Sequence, residues 1–177
     1  MQKLSNDELS RISINEFKES AKLPVIIVLD NVRSAINVGS IFRSADAFRI
    51  LGIHCCGITP APPHRDLLKS ALGASDTVAW QYHTDTLSCL SELKKRDFTL
   101  AAIEQTKNSI PLQSVQLDQD KPLALIFGHE MEGVSQEVIN HCGFSIEVPQ
   151  AGTKHSLNIA VCAGIVLWEV FRKSKFI

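Results

Sequence analysis

Six short apolar runs, several with hydrophobic residues at consecutive positions, are the feature that most restricts how this chain can fold. They are Val25–Leu29, Leu51–Ile58, Thr77–Tyr82, Phe98–Ile103, Leu123–Phe127 and Ile146–Val148. A strand with one wet face alternates apolar and polar residues, whereas consecutive apolar residues require cover on both faces. Helical patterns lie between the runs. Val38, Ile41, Ala45 and Phe48 share one face, and Leu87, Leu90 and Leu93 another. Ser135 is placed to cap Gln136–His141, and Leu157, Val161, Gly164, Ile165 and Trp168 line a long final helix. The alternation predicts an α/β domain, a largely parallel sheet with flanking helices. With 177 residues, 45% of them hydrophobic, the chain reads as one domain over 1–177. Ser5 with Glu8 and Ser13 with Glu16 match the Ser-x-x-Glu capping box, so residues 1–22 read as an appendage of two short helices before Pro24.

In an open parallel sheet, ligands bind outside the carboxyl ends of the strands. Three loops should therefore frame a site: Glu104–Ser109, Gly128–Ser135 and Pro149–Ser156. No G-x-G-x-x-G follows the first strand and no G-x-x-x-x-G-K-[ST] occurs, which argues against the usual dinucleotide and nucleotide-triphosphate sites. In "FGHEMEGVS", Gly128 and Gly133 bound a turn that holds Glu130. In "VPQAGTKHSLNIAV", Ser156 reads as an N-cap, and Asn158 reads as a polar residue one turn into an apolar helix that either has internal partners or faces a site. In "DNVRSAINVGSIFRSADAF", Asn37 fits an N-cap and Arg43 lies off the apolar stripe. Arginine stays charged and presents a planar fork suited to phosphate, so Arg43 should meet a carboxylate, a phosphate or a second subunit.

The 18 basic and 19 acidic residues leave a net charge of −1, so phosphate contacts must come from local clusters. Three exist: Arg33, Arg43 and Arg49; His64, Arg65 and Lys69; and Arg172, Lys173 and Lys175. The five cysteines, Cys55, Cys56, Cys89, Cys142 and Cys162, form no C-x-x-C pair and read as reduced core residues. A metal site from His54, Cys55 and Cys56 with His141 and Cys142 is disfavoured, because adjacent strand residues point to opposite faces; no metal is expected. No apolar run approaches the ~18 residues of a membrane span, and the start is too polar for a secretory signal, so the expected location is cytoplasmic with no membrane partner.

Together, "NVRSAINVGSIFRSADAF", "LIFGHEMEGVS" and "IEVPQAGTKHSLNIAVCAGIVLWE" resemble the three motifs of the SpoU, or TrmH, family of RNA ribose 2′-O-methyltransferases in the SPOUT class, over about residues 23–172. The resemblance implies a deep C-terminal trefoil knot, a homodimer, S-adenosylmethionine as cofactor and tRNA or rRNA as substrate. It implies a catalytic set of Arg43, Asn37, Glu130, Ser156 and Asn158, with Arg43 approaching the partner's pocket. Cofactor contacts would come largely from backbone groups of Ile103, Gly128, Val148 and Leu157. His129, Met131 and Ile159-Ala160 depart from the usual motif residues but leave the functional positions intact. No long RNA-binding extension is expected, which leaves the choice of RNA unassigned. Three other readings stay open: a non-catalytic RNA-binding module, a SPOUT enzyme acting on a base nitrogen, and, remotely, a cysteine redox enzyme.

Overall fold

The computed structural model describes residues 1–5, 7–9 and 11–176. Along the chain lie a 3-10 turn (Asp7–Leu9), α1 (Ile14–Glu19), β1 (Leu23–Asp30), α2 (Ala35–Ala47), β2 (Ile50–Cys56), α3 (Arg65–Ala71), α4 (Ala74–Thr77) and β3 (Trp80–His83). There follow α5 (Thr86–Lys95), β4 (Thr99–Ile103), β5 (Ile110–Pro111), β6 (Leu123–Phe127), α6 (Gln136–His141), β7 (Phe144–Glu147) and α7 (Ile159–Lys173). The seven strands form one sheet in the order β3-β2-β1-β6-β4-β7-β5, with every pairing parallel. Consecutive side chains of the central strands face opposite ways, which divides the core in two. Val25, Ile27 and Leu29 pack with α2 and α7, whereas Ile26 and Val28 pack with α5 and α6. All five are nearly fully buried, worth about 1.5–3 kcal/mol each.

Several boundaries differ from the sequence reading, each for a local reason. The first expected short helix is only a 3-10 turn, and residues 6 and 10 within it lie outside the described residues. Ser13 does cap α1 in a full capping box with Glu16. Residues 74–77 form α4, so β3 begins at Trp80. Asn37 is not the N-cap of α2. Ser34 is, its hydroxyl accepting the Asn37 N–H at 3.3 Å, so Asn37 lies in the first turn. Nor does Ser156 cap α7. Asn158 does, its Oδ1 accepting the N–H groups of Ala160 and Val161, which suits a residue that favours helix ends over interiors.

The face of α7 is also corrected. Ile159, Ala163, Val166, Leu167 and Val170 point into the core, while Val161, Ile165 and Trp168, together with the preceding Leu157, remain exposed. The helix is apolar nearly all round, so sequence periodicity alone cannot choose its inner side.

Candidate functional site

The carboxyl ends of β4, β6 and β7 open into a cavity of about 480 Å³. Ile103 and Glu104 close the end of β4, Gly128 to Gly133 form the loop after β6, and Val148 and Gln150 with His155 to Asn158 form the loop before α7, whose first residue Ile159 also lines the cavity. Within the loop after β6, His129 and Gly133 exchange both backbone hydrogen bonds, 3.0 and 2.8 Å long. Only glycine fits at either end. A Cβ on Gly128 would lie 2.1 Å from the Gly133 carbonyl carbon, and Gly133 has a φ of +69°.

Three polar side chains tie the loops together. The Glu130 carboxylate accepts the N–H groups of Arg33 at 2.9 Å and Ser34 at 2.8 Å, and the Asn37 amide at 3.2 Å. It therefore sits against the free N–H groups and positive end of α2. Asn37 Oδ1 in turn accepts the Asn158 amide at 3.2 Å, so a Glu130–Asn37–Asn158 chain joins the starts of α2 and α7 to the cavity loop. Burial alone would raise the Glu130 pKa. The N–H groups of Arg33, Glu130 itself and Ser34, with the Asn37 amide, outweigh it and hold the carboxyl below its ordinary 4.5.

This depression makes a pH prediction. The stability contributed by Glu130 is fully present above its unfolded value near 4.5 and is lost as pH falls through the lower folded value. Glu130→Gln should cost about 1–2 kcal/mol at neutral pH. In acid, its urea-unfolding free energy should change less steeply with pH than that of the wild type. Equal acid slopes for the two proteins would show that the carboxylate is not held by these donors.

Of the residues singled out from sequence, Ile103, Gly128, Val148, Leu157, Glu130, Ser156 and Asn158 line the cavity, and Asn37 reaches it through hydrogen bonds. Arg43 does not line it. Its side chain is exposed on α2 and, among the described residues, forms no ion pair. Of the three partners expected for Arg43, a carboxylate within the chain is absent among the described residues, which leaves a phosphate or a second subunit. Of the basic clusters, the C-terminal one is occupied internally. Arg172 and Lys173 pair with Glu169, and Lys173 also donates to carbonyls of Gln113 and Val115 at 2.7 and 2.9 Å. Arg49 lies over the Phe176 ring. Arg33 and Arg43 remain outward-facing.

Glu104 and Gln105 were not singled out from the sequence. Glu104 accepts the Val134 N–H at 2.9 Å, and Gln105 donates to the His155 carbonyl at 2.8 Å, so together they pin the other two loops to β4. A carboxylate directly after a doubly covered strand was the available signal. Cys162, on α7, also lines the cavity. Burial, then the nearby Glu104, pushes its thiol up to about 11, so it stays protonated and is a poor nucleophile at neutral pH.

A parallel α/β domain with a cleft framed by three loops at its strand ends defines a small-molecule-binding domain of the doubly covered class. The SpoU rRNA Methylase family model matches residues 24–168. The chain belongs to that family. It is 31% identical over 160 residues to a Staphylococcus aureus (strain MSSA476) protein described as a TrmH family tRNA/rRNA methyltransferase, a match that takes in 90% of this chain and 63% of the relative. The chain thus spans under two thirds of the length of that curated relative. It superposes on the A. aeolicus TrmH/SpoU tRNA modifying enzyme with a TM-score of 0.78 at 28% identity, covering 90% of this chain and 80% of that one. It also superposes on an AdoMet-bound rRNA methyltransferase from Sinorhizobium meliloti with a TM-score of 0.79 at 26% identity, covering 92% and 61%.

Proposed function

We propose that this chain transfers a methyl group from S-adenosylmethionine to a ribose 2′-hydroxyl of tRNA or rRNA. The observation that carries the reading is the convergence of all three motif segments on one cleft through Glu130, Asn37 and Asn158. The cleft fits the cofactor chemically. Its volume of about 480 Å³ lies in the range of small-molecule sites. Glu104, Glu130, Glu132 and Glu147 line it, and their carboxylates favour a positively charged sulfonium. Ile103, Gly128, Val148 and Leu157 would hold the cofactor through main-chain groups.

When bound, S-adenosylmethionine supplies an activated methyl group on sulfur. The ribose hydroxyl would take that methyl group, leaving the cofactor as its neutral thioether, and would give its proton to an RNA phosphate or solvent. Arg43 clamps the phosphate and offsets charge developing on the ribose oxygen. Glu130, Asn37 and Asn158 position the loops, and Ser156, which lines the cleft, is assigned with them to holding the pocket in shape.

The cleft and Arg43 belong to different copies of the chain in this reading. Val161 and Trp168 are 53% and 54% exposed, Ile165 and Leu157 are also exposed, and the neighbouring Ile36 on α2 is 60% exposed. Ile36 and Arg43 lie two turns apart on α2, hence on one face. A second copy seated on this apolar face would bury it and bring Arg43 to the partner's cleft. The C-terminal segment is proposed to thread as a trefoil knot. In support, Gln105 holds His155, and Gln119 donates to the Lys173 carbonyl at 3.2 Å, so the 104–122 segment clasps the chain on both sides of α7. No helix among the described residues is long and apolar enough to cross a membrane, and all five cysteines are free, which supports a reducing, cytoplasmic setting.

Incubating the purified protein with methyl-labelled cofactor and total tRNA or rRNA tests the reaction. The label should remain in alkali-resistant dinucleotides, because a 2′-O-methyl blocks cleavage at its own phosphodiester. Label released on a free modified base would favour base methylation. No transfer to any RNA, with the cofactor bound, would favour a non-catalytic module.

A further inference from the structure

At the sheet edge farthest from β7, three potential metal ligands meet. His54 on β2, His83 on β3 and Cys89 on α5 place one ligand atom each within 4.8 Å of one another. His54 Nδ1 lies 3.2 Å from the Cys89 sulfur and 3.1 Å from His83 Nε2. The two imidazoles stack at a centroid distance of 4.8 Å. Two imidazole nitrogens and a sulfur are the donor set that tetrahedral zinc selects, with Zn–N near 2.0–2.1 Å and Zn–S near 2.3 Å. A tetrahedron with those bonds has edges of about 3.3–3.8 Å, so the two spacings to His54 need to open by a few tenths of an ångström and the third, within 4.8 Å, to close by about one ångström at most.

The fourth ligand, outside that group of three, is Cys56. Cys56 is two residues beyond His54 on β2, hence on the same face, and it is fully buried in one core cluster with Cys89. The sequence expectation of no metal considered His54, Cys55 and Cys56 with His141 and Cys142. Cys55 does face the other side of the sheet, but the parallel register sets Cys56 beside His83 and brings a different pair of ligands to His54. We infer that His54, His83, Cys89 and Cys56 form a structural zinc site that staples the edge strand β3 and helix α5 to β2.

Zinc entry displaces the thiol protons of Cys89 and Cys56 to solvent as two Zn–S bonds form, with no change in oxidation state. His83 is only half-buried, and gives the ion a path from solvent. Without an ion the same four groups make an ordinary hydrogen-bonded cluster, so the measurement must read the metal itself.

Tag-free protein is loaded with zinc, passed through a chelating resin and assayed for metal by mass spectrometry, in parallel with Cys89→Ser and His83→Ala. Wild type should retain about one zinc per chain, and each variant tenfold less or lower. Cobalt(II) in place of zinc should give tetrahedral ligand-field absorption and a thiolate-to-cobalt charge-transfer band that Cys89→Ser weakens. His83 lies at the end of an edge strand, so His83→Ala should fold even if Cys89→Ser does not. Equal zinc retention in wild type and His83→Ala, or a cobalt complex without the charge-transfer band, would overturn the site.

Discussion

Gly128→Val should abolish cofactor binding and, with it, methyl transfer. Gly128 and Gly133 face each other across the turn that carries Glu130, and any Cβ at 128 meets the Gly133 carbonyl carbon at 2.1 Å and the Val134 nitrogen at 2.2 Å. Backbone atoms on both sides of a turn closed by two hydrogen bonds cannot yield as a flexible side chain can. The turn must open, which carries Glu130 away from α2 and moves one wall of the cleft. Overpacking of this kind costs about 1–3 kcal/mol, so the protein should still fold. Isothermal titration with S-adenosylmethionine should show affinity at least tenfold weaker, while circular dichroism stays native. Undiminished affinity would mean that the cofactor does not use this turn.

Arg43→Ala should leave cofactor affinity unchanged and lower the rate of methyl transfer by about 10²–10³-fold, the usual loss when a preorganised donor to developing charge is removed. The separation follows from position, because Arg43 is exposed on α2 and does not line the cleft of its own chain. Mixing the two inactive variants then tests the shared site. In a dimer, a subunit carrying Arg43→Ala keeps an intact cleft, and its Gly128→Val partner supplies the arginine. Random pairing should restore about a quarter of wild-type activity, since half the dimers are mixed and each has one complete site of two. Activity that stays at the level of the separate variants, in a mixture shown to exchange subunits, would place Arg43 and the cleft in the same chain.

Much of this site was legible in the sequence because its parts are local. Gly128 and Gly133 bracket Glu130 within six residues, and runs such as Leu123–Phe127 could only be strands covered on both faces. Two polar residues were misplaced by one element of local logic. Ser156 and Asn37 each look like helix caps, but the helices start where a side chain two or three positions ahead can reach a free N–H, which makes Asn158 and Ser34 the caps. Freed from capping α2, Asn37 spends its amide on Glu130 and its carbonyl on Asn158.

By itself, the sequence determined six of the seven strands, all but the two-residue β5, the three segments that carry polar chemistry, and the parallel α/β class, because these depend on periodicity over a few residues. Only the tertiary structure decided which of them meet. Glu130 reaches an amide 97 positions earlier, His54 finds His83 and Cys89, and α7 turns one apolar side inward and leaves Val161 and Trp168 bare. Those pairings follow from the strand order β3-β2-β1-β6-β4-β7-β5, in which distant segments become neighbours by lateral hydrogen bonding, and no local pattern of side chains encodes that order.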